Sequence, residues 1–173
     1  MLDTINGLPV HPLVVHAVVV LVPLSVLLLL AALASRVVRE RVGVATPLLA
    51  TLSLALIPLA TESGESLQRR VGRSDLVHAH AEMGESLLPW MFGVTVIAWV
   101  LWWFTRPARG GAAGGSRRSL GRLFVPVLVI GVIASLGAAV TVVRIGDSGA
   151  KAVWQQTGQL TPAGENGRGG GDD

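Results

Sequence analysis

Four long apolar runs, at residues 13–34, 44–60, 87–104 and 123–143, are separated by short polar stretches along this chain. A hydrocarbon core of roughly 30 Å is crossed by about 20 apolar helical residues, so each run predicts a transmembrane helix. The second run is the shortest, and Pro47 and Pro58 lie near its ends, so its limits are the least defined. In lipid the backbone must satisfy its own hydrogen bonds, which favours helices over isolated strands. The pattern predicts an all-α, membrane-embedded four-helix bundle. Residues 1–12 form a lead, residues 13–156 the transmembrane domain, and residues 157–173 a polar tail.

The polar stretches differ in charge, and the difference predicts orientation. The stretch after the first run carries Arg36, Arg39 and Arg41 with Glu40. The stretch after the third carries Arg106, Arg109, Arg117, Arg118 and Arg122 and no acid. The opposite face holds the other six basic residues, among them Arg69, Arg70 and Arg73, against ten acids. Basic residues clustered in short loops mark the cytoplasmic side, so both termini are expected outside. Trp90 at one end of the third run, and Trp102 and Trp103 at the other, suit the aromatic belts of the two interfaces. Gly131, Ser135 and Ala139 recur every four residues in the last run, a spacing that lets helices approach closely in lipid. The Gly- and Arg-rich loop at 105–122 and the tail bury no apolar area and are expected to be disordered.

Composition narrows the chemistry. Only 14% of the 173 residues are charged and the mean hydropathy is +0.60, against about 25% charged residues in soluble domains. Cysteine is absent, which removes disulfides, thiolate nucleophiles, cysteine-ligated clusters and covalent c-type haem. The net charge of +3 does not point to nucleic acid, because the arginines flank apolar helices. Nor does the first run suit a cleaved signal peptide ending at Ala32-Leu33-Ala34. Such peptides carry positive charge ahead of the apolar stretch, and here residues 1–10 hold only Asp3.

All four histidines fall at the predicted outer face: His11, His16, His78 and His80. Pro12 suits a first helical position, which makes His11 cap-like. His16 lies about 7.5 Å deeper and about 140° around the axis, and is expected to be the more buried of the two. If the third segment begins with Ser74 or Asp75 as its cap, His78, Glu82 and Glu85 share one helical face, while His80 points about 200° from His78. Glu62 and Glu65 share a face, as do Arg144, Asp147 and Lys151. The pattern E-x-G-E-S-L occurs twice, at 62–67 and 82–87.

Imidazole with carboxylate and no thiolate suits a transition metal: zinc, iron, copper or manganese. The expected ligands are drawn from His11, His16, His78, Glu62, Glu65, Glu82 and Glu85. A single b-type haem is the other form of this reading, with His16 and His78 or His80 as ligands. The Glu-x-x-His spacing of di-iron bundles is missing, and no histidine lies near the cytoplasmic ends to hold a second haem. Either cofactor implies an accessory redox role with a membrane or extracytoplasmic partner. The alternative is a non-catalytic module that docks a partner. Its charged rim would then be a salt-bridge network, Arg144 with Glu62 or Glu65 and Asp147 with Lys151. A proton or ion path is disfavoured, because the middles of the runs lack ionisable residues. Gly146-Asp147-Ser148-Gly149 spells the trypsin-like nucleophile motif, but no β-rich scaffold supports that chemistry here.

The stretches Gly7–His16, His80–Glu85 and Val143–Ala150 together resemble the domain-of-unknown-function 2231 family, with H-P-x-x-x-H the most specific part. The resemblance covers roughly residues 5–155 and implies a small bacterial membrane protein of four helices. It implies no activity. Where this family often carries histidine after the last Ile-Gly, this chain has Asp147, which weakens a haem ligand on the fourth helix.

Overall fold

The computed structural model describes residues 4–5, 8–71, 75–106 and 121–158. The described chain is helical apart from a two-residue antiparallel pairing of β1 (Thr4–Ile5) with β2 (Leu8–Pro9). The helices are α1 (Val10–Ala34), α2 (Arg36–Val42), α3 (Ala45–Val71), α4 (Asp75–Glu85), α5 (Leu87–Thr105) and α6 (Phe124–Gly158), the last preceded by a 3-10 turn at Gly121–Leu123. Four stretches are long and apolar enough to cross a membrane: Val10–Ala34, Ala45–Ser66, His80–Thr105 and Phe124–Lys151. The expected four-helix membrane fold is therefore present. Most of the Gly- and Arg-rich loop and of the polar tail lies outside the described residues.

Helix limits depart from the apolar runs for identifiable reasons. α1 starts at Val10, so Pro12 sits in the first turn, where the first four N–H groups have no intrahelical partner anyway. His11 is thus inside the helix rather than its cap. Pro58 does not close the second span. α3 continues through it to Val71, as membrane helices allow where neighbouring groups satisfy the freed carbonyl. The third segment is split at Ser86 into α4 and α5. Pro89 has no N–H to return to the Glu85 carbonyl, and that lost bond sets the break.

α1 packs on α3 and α6, and α5 packs on the same two helices, while α4 lies across the ends of α6 and α3. Around the ring the order is α1, α3, α5, α6. Val22, Leu29, Met91, Val94 and Ala138 are fully buried at its centre. Val20, Leu27, Phe92, Val125 and Val143 face outward and are more than half exposed, an apolar belt that a soluble monomer would not display. Buried hydroxyls stitch the helices together. Ser25 and Ser53 oxygens lie 3.0 Å apart between α1 and α3, and Thr95 of α5 donates to the Ala50 carbonyl of α3 at 3.2 Å. Such interhelical bonds contribute on average about 0.6 kcal/mol each in membrane proteins. Small residues bring α5 and α6 together: a Cβ on Gly93 would lie 3.1 Å from that of Ala134.

Ser35 caps α2, its Oγ accepting from the Val38 N–H at 3.4 Å, and Gly43 ends that helix at φ +46°. Arg39 donates to the carbonyls of Ala32 and Leu33 at 2.7 and 3.2 Å, satisfying groups left over at the end of α1. This end carries Arg36, Arg39 and Arg41; the other carries the histidines.

Candidate functional site: a duplicated histidine seat

His11, in the first turn of α1, is half-buried against the far end of α3. Its Nδ1 lies 3.0 Å from the Ala60 carbonyl and 3.2 Å from Ser63 Oγ. A carbonyl only accepts, so Nδ1 carries the proton and Nε2 keeps a lone pair in the neutral ring. The Ser63 hydroxyl donates to Ala60 O at 3.0 Å. The ring rests on Gly64, where a Cβ would come within 2.9 Å of His11 Cε1.

His80, in α4, has the same surroundings on α6. Its Nδ1 lies 2.8 Å from Ser148 Oγ, and that hydroxyl donates to Ile145 O at 2.8 Å. With its proton committed, the serine oxygen accepts, so His80 is also protonated at Nδ1. This is the reverse of a base taking a serine proton, and it gives the Gly-Asp-Ser-Gly stretch a non-nucleophilic part. The ring rests on Gly149, whose Cβ would lie 3.1 Å from His80 Cε1.

The two seats match position by position. Ala60, Ser63 and Gly64 on α3 correspond to Ile145, Ser148 and Gly149 on α6, with identical offsets. α3 and α6 stand at opposite corners of the ring, so a half-turn about the bundle axis exchanges the seats. The His11 and His80 rings lie within electrostatic reach of one another.

The other sequence candidates sit elsewhere. His16 is the exposed histidine and His11 the half-buried one, the reverse of expectation. With His11 turned to α3, a residue about 140° further round lies on another face. The His16 ring folds back onto its own helix, Nδ1 2.6 Å from Pro12 O. His78 belongs to α4, but its side chain lies outside the described residues. Glu62, Glu65, Glu82 and Glu85 are all exposed. On α4 the inward side is held by His80 and Gly84, and Glu82, two residues from His80, must point away. Among the described residues no three His, Cys, Asp or Glu side chains group closely enough to hold a metal ion.

Of the charged rim, Lys151 Nζ meets Asp147 Oδ2 at 2.7 Å, with both side chains over 60% exposed. At that exposure the pair contributes well under about 1 kcal/mol. Arg144 is exposed and forms no ion pair among the described residues. It stands on α6 and its expected partners Glu62 and Glu65 on α3, at opposite corners.

Ser63, Gly64, Ser148 and Gly149 were not identified as site residues by sequence. The available signal was an acid-Ser-Gly triplet on both α3 and α6, at 62–64 and 147–149. The E-x-G-E-S-L echo instead paired α3 with α4, which are not counterparts in the fold.

A family match over nearly the whole chain accompanies this geometry. Residues 7–162 match the family described as "Predicted membrane protein (DUF2231)". The chain belongs to that family. No curated protein and no solved structure matches it. As a DUF2231 member it is a predicted multi-pass membrane protein with a lipid bilayer around it.

Proposed function

We propose that this DUF2231 protein holds a single metal centre between His11 and His80, at the extracytoplasmic end of the bundle, and serves an accessory redox role. The observation that carries the reading is the duplicated seat. Metal-bound histidines donate their second ring N–H to a carbonyl, carboxylate or water, which fixes tautomer and ring direction. Both rings have that arrangement, through Ala60 O and Ser63 on one side and Ser148 on the other. Two histidines of matching tautomer on counterpart helices, within electrostatic reach of one another, suit one ligand between them, either an ion or the iron of a b-type haem. His16, His78 and the glutamates are not needed as ligands in this form of the proposal.

The full chain purified in detergent is expected to carry one equivalent of metal, read by elemental analysis with an absorption spectrum. A Soret band assigns haem; stoichiometric copper, iron or manganese without one assigns a redox-active ion, whereas zinc, which has no redox chemistry, overturns the redox role. A preparation that takes up neither haem nor any of these metals on reconstitution rejects the proposal.

A second reading draws on the same bonds. Both histidine contacts cross between helices, so they also serve as clasps of a non-catalytic membrane module. Under that reading His11→Ala lowers the melting temperature of a protein that never binds metal.

The orientation rests on the arginine clusters of α2 and the 105–122 loop. Reporters active on only one side of the membrane are expected to read the loop as cytoplasmic and the C-terminus as external. The opposite pattern would put the histidine seat inside the cell.

A further inference from the structure

At the arginine end, α1, α2, α3 and α5 enclose a small cavity that the histidine seat does not involve. It is lined by Ala32, Arg39, Gly43, Thr46, Trp102 and Thr105 among others, with ≈ 10 Å³ open to the centre of a water-sized sphere. That is room for about one oxygen-sized atom.

Two groups here lack what they need. Thr46 is 3% exposed, and its Oγ1 has no hydrogen-bond partner in the described structure. A buried hydroxyl without a partner costs roughly as much as a lost hydrogen bond, so Thr46 gains from any group that brings one. Arg39 is half-buried with its ring-facing side 5.5 Å from the Phe124 centroid. Its Nε and Nη2 donate to Ala32 O and Leu33 O, leaving three of five guanidinium N–H donors. Glu40, bonded to Arg36 at 2.9 Å, acts on Arg39 only through its charge, so these three donors stay open. Burial, and then the neighbouring Arg36, push the Arg39 guanidinium below its usual range. A half-buried cation in that position gains from an incoming anion.

We propose that this corner binds the phosphate of an anionic phospholipid, one oxygen entering the cavity beside Thr46 and the rest lying on Arg39. Arginine presents a planar fork that suits phosphate oxygens, two at a time. Trp102 and Trp103 lie in the last turns of α5, and tryptophans at the ends of membrane helices mark the headgroup interface. Basic pockets between helices on the cytoplasmic side are where anionic headgroups collect.

The test uses the full chain in detergent, its melting temperature followed as phosphatidylglycerol, phosphatidylcholine or inorganic phosphate is added. Phosphatidylglycerol is expected to raise it by about 5 °C or more at saturation, with phosphatidylcholine and inorganic phosphate giving little. Arg39→Gln and Thr46→Val are each expected to halve that shift at least, every variant being compared with its own lipid-free value. If Arg39→Gln does not fold, having lost the cap on α1, Thr46→Val decides. Equal shifts from both lipids, or an undiminished phosphatidylglycerol shift in Thr46→Val, overturn the site. A shift reproduced by inorganic phosphate overturns the lipid as its source.

Discussion

Alanine at either His11 or His80 is expected to abolish metal loading of the purified protein, while His16→Ala leaves loading intact. One imidazole cannot replace two, so each ligand change should cost more than 100-fold in affinity. Removing a supporting hydroxyl should cost less. Ser63→Ala and Ser148→Ala free the Nδ1 direction without touching Nε2, and such outer partners are typically worth 10–100-fold. His11 retains the Ala60 carbonyl as an acceptor and His80 retains the Ile145 carbonyl. The two serine changes are therefore expected to cost about equally. Loading and melting temperature are measured on the same samples, because a clasp alone would change the second and leave nothing to read in the first. Metal retained by both His11→Ala and His80→Ala would show that other groups bind it.

Gly137→Ala is expected to be the most destabilising small substitution in the bundle. A Cβ at Gly137 would overlap three ring atoms of Trp90, on the facing helix α5. Two effects oppose. Alanine in a helix interior is favoured over glycine by roughly 0.5–1 kcal/mol. Overpacking that forces a helix or ring to move costs typically 1–3 kcal/mol, and a contact this short cannot be absorbed by small adjustments. The clash wins, so the melting temperature in detergent should fall by several degrees. Trp90→Leu in the same chain should recover most of the loss, a coupling that two independent sites would lack. By contrast a Cβ at Gly146 meets nothing within 4 Å, and Gly146→Ala should leave stability unchanged or raise it. An unaltered melting temperature in Gly137→Ala would mean that the Trp90 ring leaves α6 freely.

What was legible in the chain followed from lipid chemistry. Four runs of apolar residues can satisfy their backbones only as helices, so span number and the all-α fold could be read directly. The gathering of the histidines at one end followed from where they fall relative to those runs. The small residues of the last run, Gly131 and Ser135 among them, do sit where helices approach closely.

Which histidines pack against a neighbouring helix was decided by tertiary structure. A helical wheel gives the angle between His11 and His16, or between His78 and His80, but not which side of the helix meets a neighbour. Rotation of α1 toward α3 buries His11 and turns His16 outward; rotation of α4 toward α6 buries His80 and turns Glu82 outward. The serines and glycines of the seat were equally invisible. Acid-Ser-Gly at 62–64 and 147–149 has meaning only once α3 and α6 are known to occupy equivalent corners. The sequence by itself determined how many helices cross, and at which end the ionisable residues collect, because the cost of polar groups in lipid acts on each segment separately. Only the packed bundle decided the partners, because helix rotation is set by side-chain fit between segments, a property that no single segment contains.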